Sequence, residues 1–153
     1  MTSSGRLMIV LLSLFLVSAN AYGREAANEI LDLYTQFYNA QNKRDIAGIG
    51  AKLLDSNDFL WVSDGKSVWG RKATLERMSQ FQGAEVWRVE PNLATARVVE
   101  VTESTAFLHL TLDLVIGAAA KPDRLAFLVS ALCVKTAQGW KIAALFTTTP
   151  KSQ

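Results

Sequence analysis

The sequence predicts an α+β domain, on three observations. Apolar residues first recur at a helical three-to-four spacing. An Asp-Gly step between two short apolar arms then marks a hairpin. From Ala84 onward the period of hydrophobicity falls to two. Helices first and antiparallel strands after them read as helices segregated to one face of a sheet.

The N-terminus is set aside before the elements are counted. Arg6 is a short positive stretch, Leu7 to Val17 an apolar run broken only by Ser13, and Ala19-Asn20-Ala21 a small-x-small step. Together they predict a secretory signal peptide over 1–21 and an exported domain over 22–153, periplasmic or extracellular. An uncleaved anchor is the alternative, although the run falls short of the roughly 20 residues that span a bilayer.

In "EILDLYTQFYNAQ", Ile30, Leu33, Tyr34, Phe37, Tyr38 and Gln41 form one stripe of a first helix. Lys43-Arg44 ends the stripe. Asp45 is the N-cap of a second helix carrying Ile46, Ile49, Leu53 and Leu54 inward. "DFLWVS" is a strand, Asp64-Gly65 its two-residue turn, and "KSVWG" the returning arm. "RKATLERMSQF" is a third helix. "EVWRVE", "TARVVEV", "TAFLHLTLDLVI", "RLAFLVSALCVK" and "WKIAALFTTT" are successive strands. Their turns are Pro91-Asn92, Glu103-Ser104, "GAAAKPD" and Gln138-Gly139.

Several function classes are disfavoured by composition. Sixteen basic residues, one of them in the leader, stand against fourteen acidic, dispersed along the chain, which argues against nucleic acid as a partner. One cysteine, Cys133, and one histidine, His109, cannot make a transition-metal cluster, and no cofactor is implied. Cys133 lies in the apolar run "FLVSALCV" and reads as a buried thiol. Gly65-Lys66-Ser67 has the ending of a phosphate-cradling loop, but Leu60 stands where that loop needs its first glycine and no helix follows Ser67. No nucleotide is expected there. Arg71-Lys72 reads as a solvated helix start, with an anion site as the lesser alternative.

The helix "LYTQFYNAQNKRDIAGI", then "DFLWVSDGKSVWGRKATLERM", then the closing "GWKIAALFTTTP" resemble the nuclear transport factor 2-like superfamily, in particular its SnoaL-like bacterial branch. The resemblance runs from about Glu25 to Pro150. It implies a cone, in which a strongly curved, mostly antiparallel sheet holds three N-terminal helices in its concave face and leaves a pocket at the wide end. Members include isomerases, dehydratases, epoxide hydrolases and pure binding modules, so the fold alone leaves the function open.

Steroid-isomerase-type members carry a tyrosine on the first helix, matched by Tyr34, and two carboxyl groups in the cone. The first position falls near Val62 or Ser63, with Asp64 one step on, and the second within "FLVSALCV", which holds no acid, so one element of the three matches. Dehydratase-type members need a His and an Asp in the pocket. His109 and Asp113 share one strand face but stand about 13 Å apart along it, too far for a direct hydrogen bond. The opposite face, Ala106 to Ile116 at every second residue, is wholly apolar, so His109 and Asp113 read more readily as the outer face. Many relatives carry a histidine where this chain has Phe146.

The residues therefore favour an exported binding protein for a small apolar or weakly polar ligand. The resemblance points its aromatic pocket at Tyr34, Tyr38, Trp61, Trp69 and Phe146. An isomerase, hydrolase or lyase using Tyr34 with His109 or Asp113 is the alternative, and an accessory or immunity-type protein a third reading. In "LAFLVSALCV" both faces of the strand are apolar, which predicts a homodimer through the outer face of the sheet.

Overall fold

A computed structural model of the chain describes the backbone of residues 6–63 and 65–151, with side chains from residue 24 onward. The leader read over 1–21 lies outside the residues whose side chains are described. Among the described residues, no helix is long and apolar enough to cross a membrane.

Helix α1 (Arg6–Asn42) buries Ile30, Leu33, Tyr34 and Phe37, which form the predicted stripe. Asn42 fixes its C-terminal end. The Asn42 side chain receives the Val89 N–H at 2.7 Å and donates to the Val89 carbonyl at 2.9 Å, so one amide substitutes for a strand partner. Arg44, at φ 57°, lies in the turn that follows, and its guanidinium donates to the carbonyls of Ala84 and Glu85.

Helix α2 (Ile46–Gly50) is capped by Asp45, whose carboxylate accepts the Gly48 N–H at 2.8 Å. It is shorter than the pattern predicts, because Leu53 and Leu54 lie beyond it. Two glycines in five residues weaken a helix, and the backbone finds better partners nearby. The Leu54 N–H donates to the Ile142 carbonyl at 2.7 Å, and the Ile142 N–H donates to the Lys52 carbonyl at 2.9 Å. Leu53 still enters the core, from a bridge beside the sheet.

The hairpin forms where Asp64-Gly65 places it, with Ser63 paired to Lys66 and Gly65 at φ 68°. Its arms are β1 (Leu60–Ser63) and β2 (Lys66–Trp69). Gly65-Lys66-Ser67 thus runs from a hairpin corner into a strand. Gly70, at φ 87°, then opens α3 (Arg71–Phe81), which turns Thr74 and Met78 inward.

Four long strands complete a six-stranded sheet of order β2-β1-β6-β5-β4-β3. β3 (Val86–Thr102) is one strand where the sequence suggested two. Pro91 lacks an N–H but does not end the strand. Between Asn92 and Arg97 the pairing with β4 slips, and the chain bulges before resuming. β4 (Thr105–Ala118) and β5 (Lys121–Thr136) pair to their tips, so "GAAAKPD" is mostly strand. β6 (Gly139–Thr148) runs antiparallel to β5 and parallel to β1.

The core lies between α1 and the inner face of the sheet, where Ala106, Leu108, Leu110, Ala131 and Ile142 are fully enclosed. Cys133 is among them, free, and burial pushes its thiol up to about 12.

Candidate functional site

A cavity of about 90 Å³ lies on the inner face, beside the α1 stripe. From α1 come Tyr34, Phe37 and Gln41, spaced three and four apart and so on one helix face. The strand register supplies the opposite wall. Trp61 of β1 faces Leu145 of β6, and in the next inward-facing row Ser63, Thr147 and Val129 stand side by side. Phe127 pairs with Leu112, and Val89 with Leu114. Trp87 of β3 and Met78 of α3 complete the lining. The clamp between Asn42 and Val89 joins two neighbours of this wall, which sets the height of Gln41 against β3.

Trp61 and Trp87 sit near opposite ends of the strand order, and the curl of the sheet brings both to one cavity. The Trp61 ring is held from outside the cavity wall by its neighbours on α3. Phe81 meets it edge-on at 6.4 Å and the Arg77 guanidinium lies 4.8 Å from its centre. Among the described residues, Tyr34 is the only titratable group in the lining, and burial pushes its phenol well above the ordinary value of 10.0. It is a hydrogen-bonding hydroxyl at any physiological pH.

Of the five residues expected at the pocket, Tyr34 and Trp61 line it. Tyr38 stands one turn along α1 with its ring 6.4 Å from that of Tyr34, half-buried and outside the wall. Trp69 is corrected outright. It pairs with Leu60, whose side chain points away from the core, and is 61% exposed. Phe146 is displaced by one inserted residue. Leu132 pairs with Ala144 but Cys133 with Ile142, so Ala143 bulges and the alternation beyond it inverts. Leu145 and Thr147 turn inward, and Phe146 turns out, 38% exposed.

His109 and Asp113 both lie on the outer face and do not meet. His109 Nδ1 is 3.0 Å from the Ser130 hydroxyl of the neighbouring strand. Asp113 receives the Arg124 guanidinium at 2.7 Å, which also reaches Glu90 at 2.8 Å, and Glu90 is paired with Arg88. Arg124 and Arg88 hold the Glu90 carboxyl below its ordinary value. Neither His109 nor Asp113 can serve the inner cavity with Tyr34. Among the described residues, no group of three or more His, Cys, Asp or Glu side chains could hold a metal.

Most of the wall escaped the sequence reading. Leu112 and Leu114 continue the buried face already recognised on β4, and Trp87 and Val89 alternate within "EVWRVE". Alternation says which residues share a face, but not where along the strand a helix leaves room.

A six-stranded, mostly antiparallel open sheet with helices over one face and a cavity between them defines the nuclear transport factor 2-like or cystatin-like class. The SnoaL-like domain family model matches residues 30–145, and the chain belongs to that family. No curated protein matches the sequence. Among solved structures, the chain is similar to a candidate dehydratase of the same superfamily from Streptomyces avermitilis. They share 17% identity over 85% of this chain and 99% of that one, with a TM-score of 0.75. A nuclear transport factor 2-like superfamily protein from Salmonella enterica serovar Typhimurium gives 14%, 86%, 95% and 0.76 for the same measures. A candidate scytalone dehydratase from Novosphingobium aromaticivorans gives 14%, 86%, 89% and 0.72. At such identities the likeness is one of fold.

Proposed function

We propose that the protein is an exported binder of small neutral molecules, that the inner cavity is its site, and that it works without catalysing a reaction. The observation behind this reading is the lining: among the described residues Tyr34 is its one titratable side chain, and that phenol is pushed up, away from the range where it would exchange a proton at neutral pH. A general base is effective when its pKa lies near the working pH. Apolar and aromatic walls with a few hydroxyl and amide groups instead suit recognition by shape.

Export rests on the three-part leader over residues 1–21. Association as a homodimer through the outer face rests on an apolar row that crosses the sheet. Trp69, Leu60, Ala144, Leu132, Phe107 and Val99 stand opposite one another on six successive strands.

The second reading, a lyase of the dehydratase kind, is favoured by the names of two similar structures. On this chain it would work through Tyr34 as a hydrogen-bonding acid, without His109 or Asp113.

Titration of the purified protein with small cyclic compounds, followed through Trp61 fluorescence, tests the binding reading. Saturable quenching with the compound recovered unchanged is expected. Turnover that vanishes in Tyr34→Phe establishes the lyase instead. Mass spectrometry of exported protein is expected to show a chain beginning at Tyr22, and a retained Met1 would overturn cleavage.

A further inference from the structure

Beside the turn between β5 and β6 lies a groove of about 200 Å³ that shares no lining residue with the inner cavity. Glu29, Leu33 and Gln36, on one stripe of α1, supply part of its lining. Lys52, Trp140 and Lys141 supply most of the rest. The two lysines come from segments distant in the chain. A parallel bridge between Leu53 and Ile142 joins those segments, and a lysine precedes each bridged residue. The Ile142 N–H donates to the Lys52 carbonyl at 2.9 Å, which fixes the two positions beside each other. Like charges on adjoining positions repel, so their placement around one hollow calls for a counter-charge.

The protein itself does not supply it. Glu29 accepts from the Trp140 indole at 2.9 Å and is paired with Lys135 at 3.5 Å. Lys52 donates to the Gln36 side-chain oxygen at 2.6 Å, and Lys141 to the Ala51 carbonyl at 2.7 Å. Both acceptors are neutral, and among the described residues neither ammonium has a carboxylate partner. An ammonium carries more donors than one such bond uses. Both lysines are half-buried, where charges are screened less than on an open surface. A larger hollow of about 490 Å³ shares Lys141 and Gln138 with the groove. Arg71 in that hollow is paired with Asp55 at 2.8 Å and adds no net charge. With Glu29 set against Lys135 and Asp55 against Arg71, the charges of Lys52 and Lys141 are what remains.

We propose that Lys52 and Lys141 form an anion site for the phosphate dianion, free or as the head of a small phosphomonoester. Two ammonium groups match its charge, and lysine binds phosphate as a point charge. The Gln36 amide gives its oxygen to Lys52, so its N–H groups are left to donate to a phosphate oxygen. The organic part of an ester then lies in the larger hollow, against Leu53, Leu54 and Ala137. The site stands apart from the inner cavity and is independent of the binding reading above.

Inorganic phosphate and glycerol phosphate, titrated at constant ionic strength into protein carrying isotope-labelled tryptophan, test the site. The Trp140 indole N–H, which bonds Glu29 in the groove, is the reporter. Its resonance is expected to move saturably, with half-saturation at about 1 mM phosphate or below, while Trp61 and Trp87 of the inner cavity stay in place. Lys52→Met and Lys141→Met keep most of the side-chain stem and should each weaken phosphate at least about ten-fold. Lys66→Met removes the same charge from the exposed hairpin and should change the affinity less than about two-fold. Unmoved Trp61 and Trp87 resonances in each variant show that it folds. Glycerol phosphate binding more tightly than phosphate identifies an ester as the ligand, and equal or weaker binding identifies phosphate itself. If Trp140 does not respond, if Trp61 responds in its place, or if Lys66→Met weakens phosphate as much as Lys52→Met does, the site falls and the inner cavity keeps its own reading.

Discussion

The two faces of β4 do opposite work. Inward, Ala106, Leu108 and Leu110 are wholly enclosed, and Leu112 and Leu114 line the cavity. Outward, Phe107 is 40% exposed, His109 stands 3.0 Å from the Ser130 hydroxyl across the strand gap, and Asp113 is tied into a surface ion network. One residue of phase separates a site from a surface. The side chains that look most chemical in the sequence are on the face away from Tyr34 and its cavity. The face with the cavity holds hydroxyls, amides and aromatic rings. Recognising a pocket from reactive residue types therefore selects the wrong side of this sheet.

The comparison is broken most directly by truncating neighbours on opposite faces. Leu108→Ala should cost about 2–5 kcal/mol, since it leaves a void that close-packed surroundings fill only in part. Phe107→Ala, one residue away, should cost less than about 1 kcal/mol in dilute protein. Urea unfolding measures both. A large Phe107 penalty that grows with protein concentration would mean that the outer face is covered.

Leu132 sits in the apolar row at 37% exposure. In a two-fold contact through this face, Leu132→Glu enters twice and should weaken association by about 2–4 kcal/mol, because like charges are forced together out of water. Light scattering at tens of micromolar should change from dimer to monomer, with the urea midpoint of the monomer unmoved. A wild type that is already monomeric there removes the dimer.

How much of this was legible depended on whether the determinant was local. Helix α3 and the hairpin are written in adjacent residues: Asp-Gly for the turn, Gly70 before the helix, and a periodic stripe after it. Tyr34 was legible because helix spacing carries no phase ambiguity once the stripe is seen. Phe146 was not, since the bulge at Ala143 depends on how β6 meets β5, and one inserted residue inverts every side chain after it. Trp69 failed for a related reason. A hairpin signal says that two arms pair, but not which face of the pair looks inward. The shortening of α2 needed Ile142, ninety residues away in the chain, to be in place beside Lys52 and Leu54.

The two faces should also answer pH differently, the inner one at the alkaline end. Tyr34 keeps its proton in the folded chain beyond 10.0, whereas the unfolded chain loses it there. The unfolded state then binds fewer protons, so stability should fall as pH rises above 10.0. Tyr34→Phe should flatten that part of the decline, and should also weaken binding of a ligand that uses the hydroxyl by about 1 kcal/mol. An alkaline limb identical in wild type and variant would mean that the phenol is hydrated in the native state.

The outer face should answer at the acid end, and weakly. Arg124 and then Arg88 hold the Glu90 carboxyl below its ordinary value of 4.5, with Arg124 bridging on to Asp113. A carboxyl depressed in this way stabilises the fold at pH above 4.5, and that stabilisation is lost as pH falls below 4.5 through the folded value. The side chains are largely solvated, so the whole contribution should stay under about 1 kcal/mol and shrink further in salt. Glu90→Gln should therefore be slightly less stable than wild type at neutral pH, and the two unfolding curves should converge as the solution is acidified. Added salt at neutral pH should close the same gap. A gap that instead widens in acid would carry the wrong sign for a depressed carboxyl, and would mean that Glu90 supports β3 and β4 by packing against its neighbours rather than by its charge.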